Sequence, residues 1–351
     1  MIIDNIEVSL VHLKLVRPYT ISYKTTNSVD NLIVKIILRN GLIGHGSSGI
    51  SEYVVGINTK DSYNNALNKY NEFIGGDIRN FENQLQKVSF VFQDDVGSKA
   101  AFDIALYDAF TKYLNISLSS FLGTKINSLP TSITIGIMSI EETIEESKEY
   151  FDRGFRYLKV KLGKSLNEDL ERIIKLDEYF GNKINIRVDA NQGWNKDETI
   201  KFFNKTKNIE LIEQPLKVDH SNEYLSFPNE LKEIIALDES LTNYTDAIKF
   251  SSNNYGKIFN IKLMKCGGIT EGRKIAQIAA LNNINLMWGC NDESKISISA
   301  ALNTALSFSN TKYLDLDGSF DLAKDLVSGG FTIKDGVMNT VNKPGLGVEL
   351  I

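Results

Sequence analysis

The chain has 351 residues, 42% of them hydrophobic and 24% charged, with a formal net charge of −5 at pH 7 and a pI near 5.5. That balance belongs to a globular protein whose core can fill one large domain or two ordinary ones. It excludes the basic footprint of a nucleic-acid or anionic-membrane binder, and no apolar stretch approaches the ~20 residues of a membrane span.

The N-terminal run MIIDNIEVSLVHLKLV alternates like a strand. It lacks the charged start and apolar block of a secretory signal. Only two cysteines occur, Cys266 and Cys290, both in apolar sequence surroundings, so a reducing, cytoplasmic location is expected. Three scattered histidines (His12, His45 and His220) exclude a zinc cluster of the usual spacing. Strand-like runs IEVSLVHLKL, NLIVKIIL and LIGHG precede helical patterns near 58–75, 80–93 and 98–115, which predicts an α+β layer over residues 1–126.

From residue 131 a strand–turn–helix unit recurs at intervals of about 25 residues. The strand-like runs are SITIGI, YLKVKLG, INIRVDAN, IELIEQP, IIALDES, IFNIKLM, INLMWGC and YLDLDG. Alternating strands and helices imply parallel βαβ units, and eight of them imply a closed α/β barrel over residues 127–325. No clear helix follows YLDLDG, and the strand-like tail 326–351 is expected to return to the first domain. The competing open sheet would carry a GxGxxG turn after an early strand, and none is present.

Ionisable residues recur at the C-terminal ends of successive strands: Lys159 and Lys161, Asp189, Glu213, Asp238 with Glu239, Lys262, then Asp315 and Asp317. In a barrel those ends converge on one mouth, where catalytic residues gather. Asp189, Glu213 and Asp238 form an oxygen-only set, which favours Mg²⁺, with Mn²⁺ as a substitute, over zinc or copper. Strand alternation points Glu239 away from that set, into a supporting or salt-bridge role rather than ligation, and Lys265 away from the face of Lys262, as a surface or loop residue. Asn191, Gln214 and Trp194 lie close enough in sequence to touch the site. Lys161 and Lys262 fall on opposite sides of the acids. A desolvated lysine beside a divalent cation has a lowered pKa and can act as a base. Two such amines on opposite faces of one carbon can remove a proton and return it from the other side, inverting a stereocentre. A solvated acidic rim and mutual neutralisation of charges are the structural alternatives.

The segments KVKLG, RVDANQGW, LIEQPL, ALDESL and NIKLMKCGGIT, together with AFDIALYDAF and NKPGLGVEL, resemble the enolase superfamily, muconate-lactonising subgroup. The resemblance runs over nearly the whole chain. It implies a (β/α)7β modified TIM barrel under a capping domain built from residues 1–126 and the tail 326–351. It further implies Asp189, Glu213 and Asp238 as Mg²⁺ ligands, Lys161 and Lys262 as the acid/base pair, and Lys159 as a holder of the substrate carboxylate. Within the subgroup, YLDLDG is similar to the Asp-x-Asp motif of dipeptide epimerases, in which both acids (here Asp315 and Asp317) grip the substrate α-ammonium. The expectation is therefore Mg²⁺-dependent inversion of the C-terminal residue of a dipeptide, L-Ala-L/D-Glu or a relative, through an enediolate. Muconate-type cycloisomerase and o-succinylbenzoate synthase are the enzymatic alternatives, and a non-catalytic metal-binding barrel is the third. Lys24 occupies the position where a basic residue meets a glutamate side chain. At the seventh strand's end Glu293 fits the family pattern. Asp292 departs from it and admits a polar or cationic first residue. GHGSS departs from the family's G-x-G-E. The partner is a small dipeptide, without nucleic acid or membrane, and the resemblance admits a homo-oligomer.

Overall fold

The computed structural model describes residues 1–21 and 25–351. Lys24 lies outside the described residues. The first layer is a three-stranded antiparallel sheet, Ile3–Thr20, Thr25–Leu38 and Ile43–Ser48, in that order. Its long first pair stays in register from Asn5 opposite Ile37 to Lys14 opposite Ser28. One face of the sheet carries Ile6, Leu32, Val34 and Ile36 into the core, against the helix Val96–Tyr113. The helix lies very close to the sheet at GHGSS: a Cβ on Gly44 or Gly46 would land on the carbonyl oxygens of Ala105 or Ala101. The two glycines of that motif thus serve packing.

Eight parallel strands then form the barrel in unbroken sequence order: Ile133–Ile135, Tyr157–Lys161, Asn185–Asp189, Ile209–Glu213, Ile235–Leu237, Ile258–Ile261, Asn285–Gly289 and Thr311–Asp315. These are the eight runs expected. The ring closes where Thr131 bridges Leu314 and the Ser132 N–H reaches the Leu314 carbonyl at 3.0 Å. Among the described residues no helix follows the eighth strand, as a (β/α)7β barrel requires. The interior is packed. Leu211, Ala236, Ile258 and Met287, from four consecutive strands, form one apolar layer. Opposite Leu211, Arg187 is buried between the rings of Tyr157 and Tyr313, at 4.9 and 5.2 Å, and its Nε is 2.6 Å from Glu210.

Side chains and backbone pin the sheet over the barrel mouth. Asn31 accepts from the Ser294 N–H at 3.1 Å, Asn291 donates to the Gly49 carbonyl at 2.9 Å, and the Val16 N–H reaches the Asp321 carbonyl at 2.7 Å. The tail pairs Val327–Gly329 with Val348–Leu350, and Phe331–Lys334 with Val337–Thr340, the latter joined by Ser128–Pro130. No helix of the described residues is long and apolar enough to cross a membrane.

Candidate active site

Register sets the height of the charged groups. Lys161 lies opposite Asp189, and Asp189 opposite Glu213, so the ends of strands two, three and four deliver three charges at one level. Lys159 sits one pleat lower, beside Arg187. Strand five ends at Leu237, and Lys262 follows strand six directly. Strands two and six are four places apart in a ring of eight, so Lys161 and Lys262 stand across the mouth from each other. Both line one cavity of about 1010 Å³ beneath the sheet, as do Lys159, Asp238, Asp292, Asp315 and Asp317.

The acids are deeply buried: Asp189 and Glu213 are 0% exposed and Asp238 2%. Lys159 lies 2.7 Å from Glu213, 2.8 Å from Asp315 and 3.2 Å from Asp189. Lys161 binds Asp189 at 2.7 Å, and Lys262 binds Asp238 at 2.8 Å. Among the described residues no three carboxylate, imidazole or thiol groups stand at metal-holding geometry. Asp189 and Glu213 converge on the Lys159 ammonium, and Asp238 is held by lysines. The donor set still fits a hard divalent cation: it is oxygen-only and buried, and Glu213 Oε2 has no aligned hydrogen-bond donor although Lys159 is at ion-pair distance.

The pKa shifts follow from that crowding. Burial, then the charge of Asp189, pushes the Glu213 carboxyl up to about 8. Burial also opposes ionisation of Asp189, but Lys161 and Lys159 outweigh it and hold that carboxyl at about 2. Asp238 is held well below the usual range, where burial is again overcome, here by Lys262, Lys265 and Lys159. Burial disfavours the Lys159 and Lys262 ammonium groups, yet surrounding carboxylates raise both above the ordinary lysine value. At Lys262 the attraction of Asp238 at contact distance outweighs desolvation.

Two orientations depart from expectation, for one reason. Alternation holds only while a strand continues. After Leu237 the chain turns, with the Gln214 side-chain oxygen accepting the Asp238 and Ser240 N–H groups at 2.9 and 3.2 Å. Glu239 is thereby brought to the cavity wall beside Asp238, its carboxyl pushed to about 7 by burial and then by Asp238 and Asp189. After Ile261 a helical turn, Leu263–Cys266, places Lys265 on the same side as Lys262. Lys265 is 3% exposed and donates to the Asp238 carboxylate and carbonyl.

Asp315 accepts from Ser132 at 2.7 Å and from Lys159 at 2.8 Å. Asp317 accepts from the Thr134 N–H at 2.6 Å, and burial together with the charge of Asp315 pushes its carboxyl to about 7. Burial likewise puts Glu293 near 7, where it accepts the Asn291 N–H at 2.8 Å. Asn191 reaches both Asp189 and Glu239 at 3.3 Å. Trp194 donates to Asp169 at 3.0 Å, outside the cluster. Cys290 also lines the cavity, beside the Asp315 carbonyl, rather than sitting among apolar groups. Sequence reading missed Asn260, whose amide donates to Glu213 at 2.8 Å. Its signal was there: it lies two residues before Lys262 and so shares that inward face.

A parallel barrel with a lysine and carboxylate cluster at its C-terminal mouth, roofed by an antiparallel sheet, defines an α/β-barrel enzyme built for proton transfer. Residues 5–123 match the mandelate racemase/muconate lactonizing enzyme N-terminal domain, and residues 142–351 the enolase C-terminal domain-like family. The L-Lys-D/L-Arg epimerase of Desulforapulum autotrophicum is 46% identical over 97% of each chain, and the L-Ala-D/L-Glu epimerase of Clostridium acetobutylicum is 34% identical over 99% of each. The crystal structure of a dipeptide epimerase from Methylococcus capsulatus, complexed with Mg and the dipeptide L-Arg-D-Lys, superposes with a TM-score of 0.97 at 39% identity, covering 99% of both chains. The chain belongs to the enolase superfamily, in its mandelate racemase/muconate lactonizing branch, and to the dipeptide epimerases within it, isomerases that act on amino-acid derivatives.

Proposed function

We propose that this protein is a Mg²⁺-dependent epimerase of dipeptides with cationic side chains, inverting the α-carbon of the C-terminal residue. The observation that carries the reading is the pair of buried amines, Lys161 and Lys262, on strands two and six of one ring, both lining the cavity that also holds Asp315 and Asp317. Asp189, Glu213 and Asp238 would hold the divalent cation. When bound, Mg²⁺ supplies positive charge for the substrate carboxylate, where negative charge builds as the α-proton leaves. Lys159, standing between Glu213 and Asp315, is the protein cation placed to meet the same carboxylate. For one epimer Lys161 Nζ takes the α-proton and Lys262 Nζ delivers one to the opposite face; for the other the roles exchange. Asp315 and Asp317 share one face of their chain segment and together take the α-ammonium.

The choice of cationic side chains rests on the rest of the wall. Glu146, Asp292 and Asp321 line the cavity together with Arg17 and Arg153; Arg17 binds Glu149 at 2.9 Å and lies 3.9 Å from Glu146, and Arg153 lies 3.6 Å from Glu149, so both guanidinium groups are already paired with acids. Two relatives, from Desulforapulum autotrophicum and Methylococcus capsulatus, at 46% and 40% identity, are L-Lys-D/L-Arg epimerases. The test is proton NMR of a dipeptide panel in D₂O with enzyme and Mg²⁺. The α-proton signal of the second residue in Lys-Arg and Arg-Lys should vanish as a new diastereomer appears, well ahead of Ala-Glu. Absence of exchange with every dipeptide overturns the assignment, and faster exchange with Ala-Glu overturns the cationic preference.

A further inference from the structure

Glu239 is left without a task by the reaction just proposed. It is 6% exposed and lines the cavity next to Asp238. Its Oε1 accepts the Asn191 amide at 3.3 Å, and that amide also reaches Asp189 at 3.3 Å. Its Oε2 has no hydrogen-bond partner, and no ammonium or guanidinium of the described residues lies within ion-pair distance of it. A buried carboxylate so placed is costly, because it adjoins Asp238 in the chain and shares the Asn191 amide with Asp189, so like charge stands on two sides of it. Core packing does not explain it, since an apolar side chain would fill the same space at less cost. A structural ion pair does not explain it either.

We infer that Glu239 is a positioning residue for the divalent cation: it stands outside the trio Asp189, Glu213 and Asp238, adds charge to their site, and steadies Asp189 through Asn191. The inference rests on the Mg²⁺ reading above. It accounts for both unusual features, a buried carboxyl that no ammonium or guanidinium of the described residues pairs with and a buried carboxyl oxygen without a hydrogen-bond partner. Residues that orient first ligands from outside commonly change metal affinity about 10–100-fold when replaced.

The experiment measures Mg²⁺ binding by calorimetry on substrate-free protein, with Mn²⁺ titration followed by electron paramagnetic resonance as a second readout. Glu239→Gln keeps the shape and an acceptor for Asn191 but removes the charge. Its metal affinity should fall about tenfold or more, while its metal-free melting temperature stays level or rises. Asn191→Ala, which cuts the link to Asp189, should weaken binding several-fold, and it carries the test if Glu239→Gln does not fold. Unchanged affinity in both variants, with wild type binding Mg²⁺ and Asp189→Asn not binding it, overturns the role of Glu239 alone. A wild type that does not bind Mg²⁺, or an Asp189→Asn variant that binds like wild type, overturns the Mg²⁺ reading and this inference with it.

Discussion

Each lysine of the site is defined by which carboxylate it faces. Lys161 is tied to Asp189 and Lys262 to Asp238, at 2.7 and 2.8 Å, so each proposed acid/base group rests on a different proposed metal ligand. Removing either amine removes a proton carrier from one face of the substrate carbon and leaves the other face served. Lys161→Ala and Lys262→Ala should each lose about 10²–10⁴-fold in epimerisation. Each should still exchange the α-proton of one epimer with deuterium, and the two variants should prefer opposite epimers. A variant that epimerises at a rate near wild type ends the two-base scheme. At the other end of the substrate, Asp317→Asn leaves a neutral acceptor beside the Thr134 N–H and weakens the grip on an ammonium. A hydrogen bond to a charged group contributes about 1.5–3 kcal/mol, so KM for a dipeptide should rise about tenfold or more with a smaller change in kcat, read from initial rates. The sequence showed these residues because strand alternation and barrel topology together dictate which side chains meet at the mouth. It did not show Glu239 or Lys265 correctly, because their orientation depends on where strands five and six stop. That is decided by the Gln214 contact and by the turn at Leu263–Cys266, and neither leaves a periodic trace.

Among the elements, the helix Val96–Tyr113 joins three parts of the molecule through two aspartates. Asp103 accepts the N–H groups of Ile269 and Thr270 at 2.6 and 3.2 Å, capping the barrel helix Ile269–Leu281 from outside that helix. Substituting such a cap costs about 0.5–2 kcal/mol, so Asp103→Ala should lower the unfolding midpoint in a chemical denaturation curve. No change would show the contact to be incidental. Five residues on, Asp108 accepts the His45 N–H at 2.7 Å, the Lys112 ammonium at 2.6 Å and the Leu346 N–H at 2.7 Å, tying sheet, helix and tail. Burial opposes its charge, but His45, Lys112 and Leu346 outweigh burial and hold its carboxyl below the usual value. A carboxyl depressed on folding contributes stability that is fully present above the unfolded pKa, about 3.9, and that is lost as pH falls through the folded value. The melting-temperature gap between wild type and Asp108→Asn should therefore be constant near neutrality and shrink below about pH 4. A gap that widens on acidification contradicts the assignment. The fold-level reading succeeded at this scale because the barrel strands are short and apolar and the first seven are each followed by a turn and a helical segment. The capping contacts of Asp103 and Asp108 were invisible, since the partners of Asp103 lie 166 and 167 residues away and those of Asp108 are spread over the sheet, its own helix and the tail.

At the scale of the molecule, charge distribution bears on substrate choice more than any single contact does. The chain carries −5 overall, and the cavity beneath the sheet is walled by Asp292, Asp321 and Glu146 as well as by Asp315 and Asp317. Burial, followed by the charges of Asp317, Asp292 and Glu146, pushes the Asp321 carboxyl up to about 8, with Arg153 only partly offsetting them, so an arriving cation favours its ionised form. A dipeptide of two cationic residues brings a net positive charge to that opening, whereas Ala-Glu brings a net negative one. Attraction of the first kind is screened over a Debye length of about 10 Å at 0.1 M salt and about 30 Å at 0.01 M. The rate constant kcat/KM for Lys-Arg should therefore fall severalfold as salt is raised from about 0.01 to 0.2 M. That for Ala-Glu should hold or rise over the same range, since screening relieves repulsion. Steady-state rates at matched pH and saturating Mg²⁺ separate the two substrates, with Asp321→Asn flattening the slope for Lys-Arg. Equal salt dependence for both dipeptides would mean that the acidic wall does not select them.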